Sequence, residues 1–326
     1  MTRAKSSLFG AALAMAAAAV SSPVLAKDAP HIERHTWSFG GFTGQFDQAQ
    51  LQRGFQVYKE VCSACHGMQR VYFRNLVAPG GPEFPEESVK ALAAEWPYQI
   101  TDGPDDTGKM FERPAKLFDP IRGPFKNNNE ARAMQNGALP PDLSIIAKAR
   151  NPEYTGPFWW HPFHMLGDVA TGYQEGGPDY LYALLTGYAD KAPPFKREAN
   201  GSLEQIGETD VASEAGLERC ATVVRGENGK PDVCNKVQDG MYYNTAFPGH
   251  QVAMPPPLAK DNFVKYQDGA GSLEDNARDL SAFLAWAADP SLDQRKSTGW
   301  LVMLYLLVTT VLLYLGKKRI WAKIEH

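Results

Sequence analysis

Apolar positions recur with a helical period in two internal stretches of this 326-residue chain, and a third stretch, near its end, is apolar throughout. In Asp47 to Val61, Leu51, Gly54, Phe55 and Tyr58 fall at i, i+3, i+4 and i+7, which predicts an amphipathic helix. Ser272 to Ala288 carries the second stripe, Leu280, Phe283, Leu284 and Ala287. Ser272 and Asp275 form a capping-box-like start and Pro290 follows the end. Between these two the pattern is broken. Phe73 to Gly137 holds prolines at 79, 82, 85, 97, 104, 114, 120 and 124, so it reads as loop around one short helix near Glu87 to Ala94. Asp142 to Arg150 and Asp179 to Thr186 predict further short helices. Lys191 to Met241 is polar, rich in Gly and Glu and without helical period, and reads as a long surface excursion. Strands are scarce in this reading and no internal repeat is visible, so the predicted fold is mainly α with long irregular loops.

The two ends carry a different pattern. Residues 1–26 begin with Arg3 and Lys5, run through an Ala-rich apolar stretch from Leu8 to Val20 and close on Val24-Leu25-Ala26, the pattern of a cleaved secretory signal peptide. Residues 297–316 contain no charge, and twenty residues at about 1.5 Å each span about 30 Å, the depth of a bilayer's hydrocarbon core. Trp300 and Trp321 stand where interfacial aromatics are expected. Lys317, Lys318, Arg319 and Lys323 follow at once, which places the tail, residues 317–326, in the cytoplasm. Export at the front and a single transmembrane helix at the back leave residues 27–296 as one extracytoplasmic domain. The formal charge of −4 includes the basic residues of both ends, so that domain is more acidic than the whole. This balance argues against nucleic acid and for a basic partner wherever the acid is clustered.

The chemistry is concentrated in Cys62-Ser63-Ala64-Cys65-His66. Two cysteines one helical turn apart can each add to a vinyl group of haem, and the following histidine then lies against the iron as an axial ligand. A redox dithiol does not require that histidine. A zinc site needs two more ligands, and the other cysteines lie more than 150 residues away with no second Cys-x-x-Cys. The motif therefore predicts one covalently bound haem c on Cys62 and Cys65, with His66 on the iron. The sixth ligand decides between a carrier and a catalyst. His161, His164 and His250 are candidates, as are the downstream methionines. Met254 is favoured because Pro255, Pro256 and Pro257 stiffen its loop just ahead of the last soluble helix. A His/Met pair suits electron transfer, since thioether ligation favours reduced iron. An open sixth site would instead make a haem enzyme such as a peroxidase.

Several runs beyond the haem motif resemble the cytochrome c1 family, the haem-bearing subunit of quinol–cytochrome c reductase. They are Tyr58 to His66, Asp102-Gly103-Pro104, Met110 to Pro114, Ala131-Arg132, Asn136 to Ser144, Asp179-Tyr180, Leu184 to Tyr188, Phe247-Pro248-Gly249 and Ala253 to Leu258, in this order before the C-terminal anchor. The resemblance covers most of the mature chain. It implies a cytochrome c-like haem domain in which Met254 is the sixth ligand and Arg132 lies near a haem propionate. It further implies one-electron transfer from a Rieske iron–sulfur protein to a c-type cytochrome acceptor, beside cytochrome b in a dimeric complex of the bacterial inner membrane, with the haem domain periplasmic. No bond-making chemistry is expected on this chain alone. Cys220 and Cys234, in an exported domain, read as a disulfide similar to one in some bacterial relatives.

The chain departs from the shorter family members at Lys191 to Met241 and at Phe158 to His164, whose His161 and His164 suggest loop packing more than metal. Glu83, Glu86, Glu87, Glu95, Asp102, Asp105 and Asp106 stand against Lys90 alone. They form either a solvated face or a docking patch for a basic cytochrome.

Overall fold

The computed structural model describes residue 30 and residues 32–322, apart from 153–155, 174–175, 212, 214, 227–229, 259–262 and 267–268. Residues 1–26, expected as a signal peptide, lie outside the described residues, as does Lys323 of the basic tail. Eight α-helices are described: α1 (Gln48–Glu60), α2 (Glu86–Ala94), α3 (Asn128–Met134), α4 (Ile146–Ala149), α5 (His161–Thr171), α6 (Gly177–Thr186), α7 (Leu273–Ala288) and α8 (Leu292–Trp321).

The two helices that the pattern names most clearly form the centre of the domain. The Asp47 side chain caps α1 by accepting from the Gln50 N–H, and Ser272 with Asp275 closes a reciprocal capping box on α7. α1 packs on α7, and α6 packs on the same helix. Phe55 and Tyr58 meet Phe283 at ring-centroid distances of 5.6 and 6.0 Å, and Phe283 meets Trp286 at 5.5 Å. Gly54 makes this approach possible, because a Cβ there would stand 2.1 Å from the Asp279 carbonyl oxygen. Arg53, one residue earlier, pairs with the Asp279 carboxylate at 2.7 Å. Asp179 at the start of α6 is buried and fully engaged: it accepts from the His35 N–H, the Trp37 indole N–H (2.7 Å) and the Tyr173 hydroxyl (2.6 Å), tying the N-terminal segment to the core.

The interval from Phe73 to Gly137 is less irregular than expected. Ile100–Asp102 pairs antiparallel with Phe111–Arg113, and Met68–Tyr72 pairs with Pro120–Ile121. The bidentate pair of Arg113 with buried Asp119 (2.6 and 3.0 Å), reinforced by the Lys116 N–H at 2.8 Å, fixes the turn that presents Pro120–Ile121. The Lys191–Met241 excursion is a β unit. Pro194–Arg197 lies between Leu203–Gln205 and Leu217–Arg219 in a three-stranded sheet, and Thr222–Val224 pairs with Val233–Asn235. Phe195, Leu203 and Cys220 form its own small core, and Cys220 is joined to Cys234. On a loop-entropy account, a crosslink spanning 14 residues stabilises by about 3 kcal/mol.

After α7 only Asp289, Pro290 and Ser291 intervene before α8. The Asp289 carboxylate is clamped by Lys148 from α4 (3.0 Å) and Arg295 from α8 (2.6 Å). The apolar stretch expected at 297–316 is the middle of this 30-residue helix, which is long and apolar enough to cross a membrane. Its side chains from Leu301 to Leu315 are exposed almost throughout, as a lipid-facing span requires.

Candidate haem site

Cys62, Ser63 and Ala64 form one tight turn at the C-terminal end of α1, and the Cys65 and His66 N–H groups both donate back to the Cys62 carbonyl (3.1 and 2.8 Å). The turn therefore follows directly from the helix that anchors the core. The Ser63 hydroxyl donates to the Lys59 carbonyl and the Tyr58 hydroxyl donates to the His66 carbonyl at 3.0 Å, so the motif's backbone is held from both ends. Burial, then Cys65, pushes the Cys62 thiol up to about 12, the reverse of the lowered value of a reactive redox cysteine.

The imidazole of His66 is oriented by a residue 75 positions away. Its Nδ1 lies 2.7 Å from the Pro141 carbonyl oxygen. A carbonyl only accepts, so Nδ1 carries the proton and Nε2 keeps its lone pair for a metal. Burial holds His66 below its ordinary value, opposed by the Pro141 bond and by Asp142, so the ring is neutral, as a ligand must be. The Asp142 carboxylate in turn accepts from the Gln69 and Ser144 N–H groups, and the Leu143 N–H donates to the Gly67 carbonyl. Immediately after His66 the chain passes its neighbour backbone to backbone: a Cβ at Gly67 would stand 2.7 Å from the Gly123 nitrogen. A cleft of about 600 Å³ opens there, lined by Cys65, Gly67, Phe125, Leu139 and Pro141 among others.

Arg132 on α3 is exposed, and its Nη1 donates to the Gly137 carbonyl at 3.0 Å, bracing the loop that leads to Pro141. Met254 is half-buried, and its carbonyl accepts from the Tyr188 hydroxyl (3.1 Å). Tyr188 follows α6 and bridges to Asn244, so the proline-stiffened loop is fastened to the core by way of that helix. His250, the other candidate in this loop, closes a turn: its Nδ1 is 3.1 Å from the Asn244 carbonyl and its ring lies on Tyr243. His161 and His164 sit on α5, where His164 lies 3.2 Å from Asp168. Among the described residues, three metal-ligating side chains gather only at Glu218, Cys220 and Cys234, and both of those sulfurs are in the disulfide.

The residues present thus fit a covalently attached haem: two thiols on one turn, and a neutral imidazole whose second nitrogen is fixed by a carbonyl. Sequence reasoning missed Pro141 and Tyr58 as supports of His66. Both lie in runs that carry the family resemblance, and Tyr58 also in the helical stripe, but neither signal points to a hydrogen bond with His66.

Fold and site together define a c-type cytochrome with a C-terminal apolar helix. The chain belongs to the cytochrome c1 family, whose model matches residues 37–324. It is 38% identical over 312 residues to cytochrome c1 of Blastochloris viridis, covering 95% of this chain and 93% of that one. With cytochrome c1 of Rhodospirillum rubrum it shares 40% over 296 residues, 90% and 89% of the two chains. It also matches a longer protein from Bradyrhizobium diazoefficiens named cytochrome b/c1, at 40% over 287 residues, or 88% of this chain and 35% of that one. Proteins of the family carry one covalently bound haem c and serve electron transport.

Proposed function

We propose that this chain is a membrane-tethered relay that accepts single electrons from a Rieske iron–sulfur protein and passes them to a c-type cytochrome. It would do so within a quinol–cytochrome c reductase beside cytochrome b, with its haem domain periplasmic and its C-terminus in the cytoplasm. The His66–Pro141 hydrogen bond carries this reading, because it turns the free Nε2 lone pair of His66 into a fixed ligand position one turn from the Cys62 and Cys65 thiols. The relative that joins cytochrome b and c1 in one name supports the choice of neighbour, and the basic run Lys317, Lys318 and Arg319 supports the orientation.

When bound, the haem supplies reversible one-electron chemistry at iron. Cys62 and Cys65 would hold it covalently, His66 and Met254 would be the residues that ligate its iron, and Arg132 would balance the charge of a propionate. Pro141 keeps the His66 ring from turning, and Tyr58 holds its backbone carbonyl. Tyr188 and the three prolines after Met254 steady the thioether loop, which would keep the site closed to peroxide and suit it to electron transfer.

Optical and magnetic spectra of the purified protein test this. Low-spin iron with a thioether charge-transfer band is expected, and Met254→Leu is expected to turn it high-spin and lower its potential. High-spin iron in the unmutated protein that readily binds carbon monoxide would instead indicate a haem enzyme.

A further inference from the structure

The segment Phe158–Trp160 and the following helix α5 invert the usual arrangement of a surface helix. A helix on a soluble domain turns its apolar stripe inward and its polar face to water. Here the polar face is the one turned to the protein. Asp168 pairs with Arg34 at 3.0 Å, His164 approaches the same guanidinium at 3.2 Å, and Arg34 lies over the Tyr173 ring. Phe158, Trp159, Trp160, Phe163, Leu166 and Val169 are between 50% and 92% exposed. From Pro157 to Thr171 the segment holds no Lys, Arg or Glu, and Asp168 is its one acidic residue. An exposed apolar patch of this kind marks a surface that meets something apolar.

What it meets is indicated by where the helix ends. Gly172 closes α5 in a left-handed conformation, and a Cβ there would stand 2.9 Å from the Phe42 nitrogen, so the end of α5 rests on Gly41–Phe42. The Phe42 ring in turn lies 6.2 Å edge-on from Trp300, near the start of the apolar run of α8. The C-terminal end of α5 is therefore joined through Gly41–Phe42 to the root of the apolar helix α8.

We propose that Phe158–Val169 is an interfacial membrane-binding element, lying in the headgroup–acyl boundary of the bilayer that α8 crosses and giving the haem domain a second foothold there. Tryptophan and phenylalanine on the outward side and a pinned polar side toward the protein are the arrangement such a boundary selects. The foothold is independent of the haem ligands and of electron-transfer partners.

The test uses the full haem-loaded chain in phospholipid vesicles, with the iron reduced and a nitroxide label on Leu166→Cys or, separately, on Val169→Cys. Val224→Cys, on the exposed Thr222–Val224 strand, is the water-facing reference. The expected result is a higher ratio of collision with oxygen to collision with a water-soluble nickel chelate at both α5 positions than at the reference. Equal ratios at all three would overturn the proposal. So would labels open to nickel in vesicles but shielded from both reagents in the assembled complex, since a protein partner would then cover α5.

Discussion

The carbonyl oxygen of Pro141 decides the state of the histidine that the haem motif supplies. Because that oxygen accepts from Nδ1, the tautomer is set with Nε2 free and the ring is aimed, while burial, working against this bond, holds His66 below its ordinary value. Carboxylates do the comparable work elsewhere. Burial alone would raise Asp119, but the Arg113 guanidinium and the Lys116 N–H outweigh it and hold the carboxyl below its ordinary value. Asp119→Ala leaves Arg113 without its better-buried partner, and we expect a cost of about 3 kcal/mol, read as a lower denaturant midpoint. Asp232 is a sharper case. The Leu203 and Gly226 N–H groups and Arg225 lower it to about 2. A depressed folded value means that its contribution is complete above the ordinary 3.8 and is lost as pH falls through about 2. Hydrogen-exchange protection of the Leu203 and Gly226 amides, corrected for intrinsic rate, should fall across that window while amides of α7 keep theirs.

Among the elements, α1 and α7 were legible in the sequence because each carries more than two turns of stripe and a side-chain cap, so pattern and cap chemistry agree. The haem motif was legible for another reason: its spacing is itself the chemistry. The β unit between Lys191 and Met241 was not legible. Its strands run only three or four residues, too short for alternation to show, and Phe195 and Leu203 meet through pairing that no local window contains. α3 was missed because seven residues with a single buried alanine leave no stripe. The Trp159 stretch misled differently, since the pattern gave no sign that its polar side would face inward. The closest element contact gives a direct test. Gly54→Val places carbon against the Asp279 backbone, and splaying α1 from α7 should cost about 3 kcal/mol in the same denaturation assay. Because Cys62 follows α1 directly, that variant should also show a perturbed haem spectrum.

At the scale of the whole molecule, the acidic run from Glu83 to Asp106 divides into parts. Asp102 is engaged by Arg113, Asp105 accepts from the Thr107 and Lys109 N–H groups, and Lys90 is held by Glu86 and Glu87. Asp106 is exposed on the same loop and is the cleaner position at which to ask whether this face receives a basic cytochrome. If it does, Asp106→Lys will slow reduction of a basic c-type acceptor several-fold at low salt and little at high salt, since steering is screened beyond about 10 Å at 0.1 M. Stopped-flow rates across ionic strength would show it, and an unchanged salt slope would mark the run as a solvated face. The three-residue turn between α7 and α8 has a consequence for timing. With Asp289 gripped from both sides and Lys296 donating to the Phe39 and Gly44 carbonyls, the core and its span are joined as a mast stepped into a hull, not as a float on a line. If α8 spans the bilayer as proposed, such a mount would fix the height of the cofactor site above it, so that any electron exchange would rely on partners coming to that height.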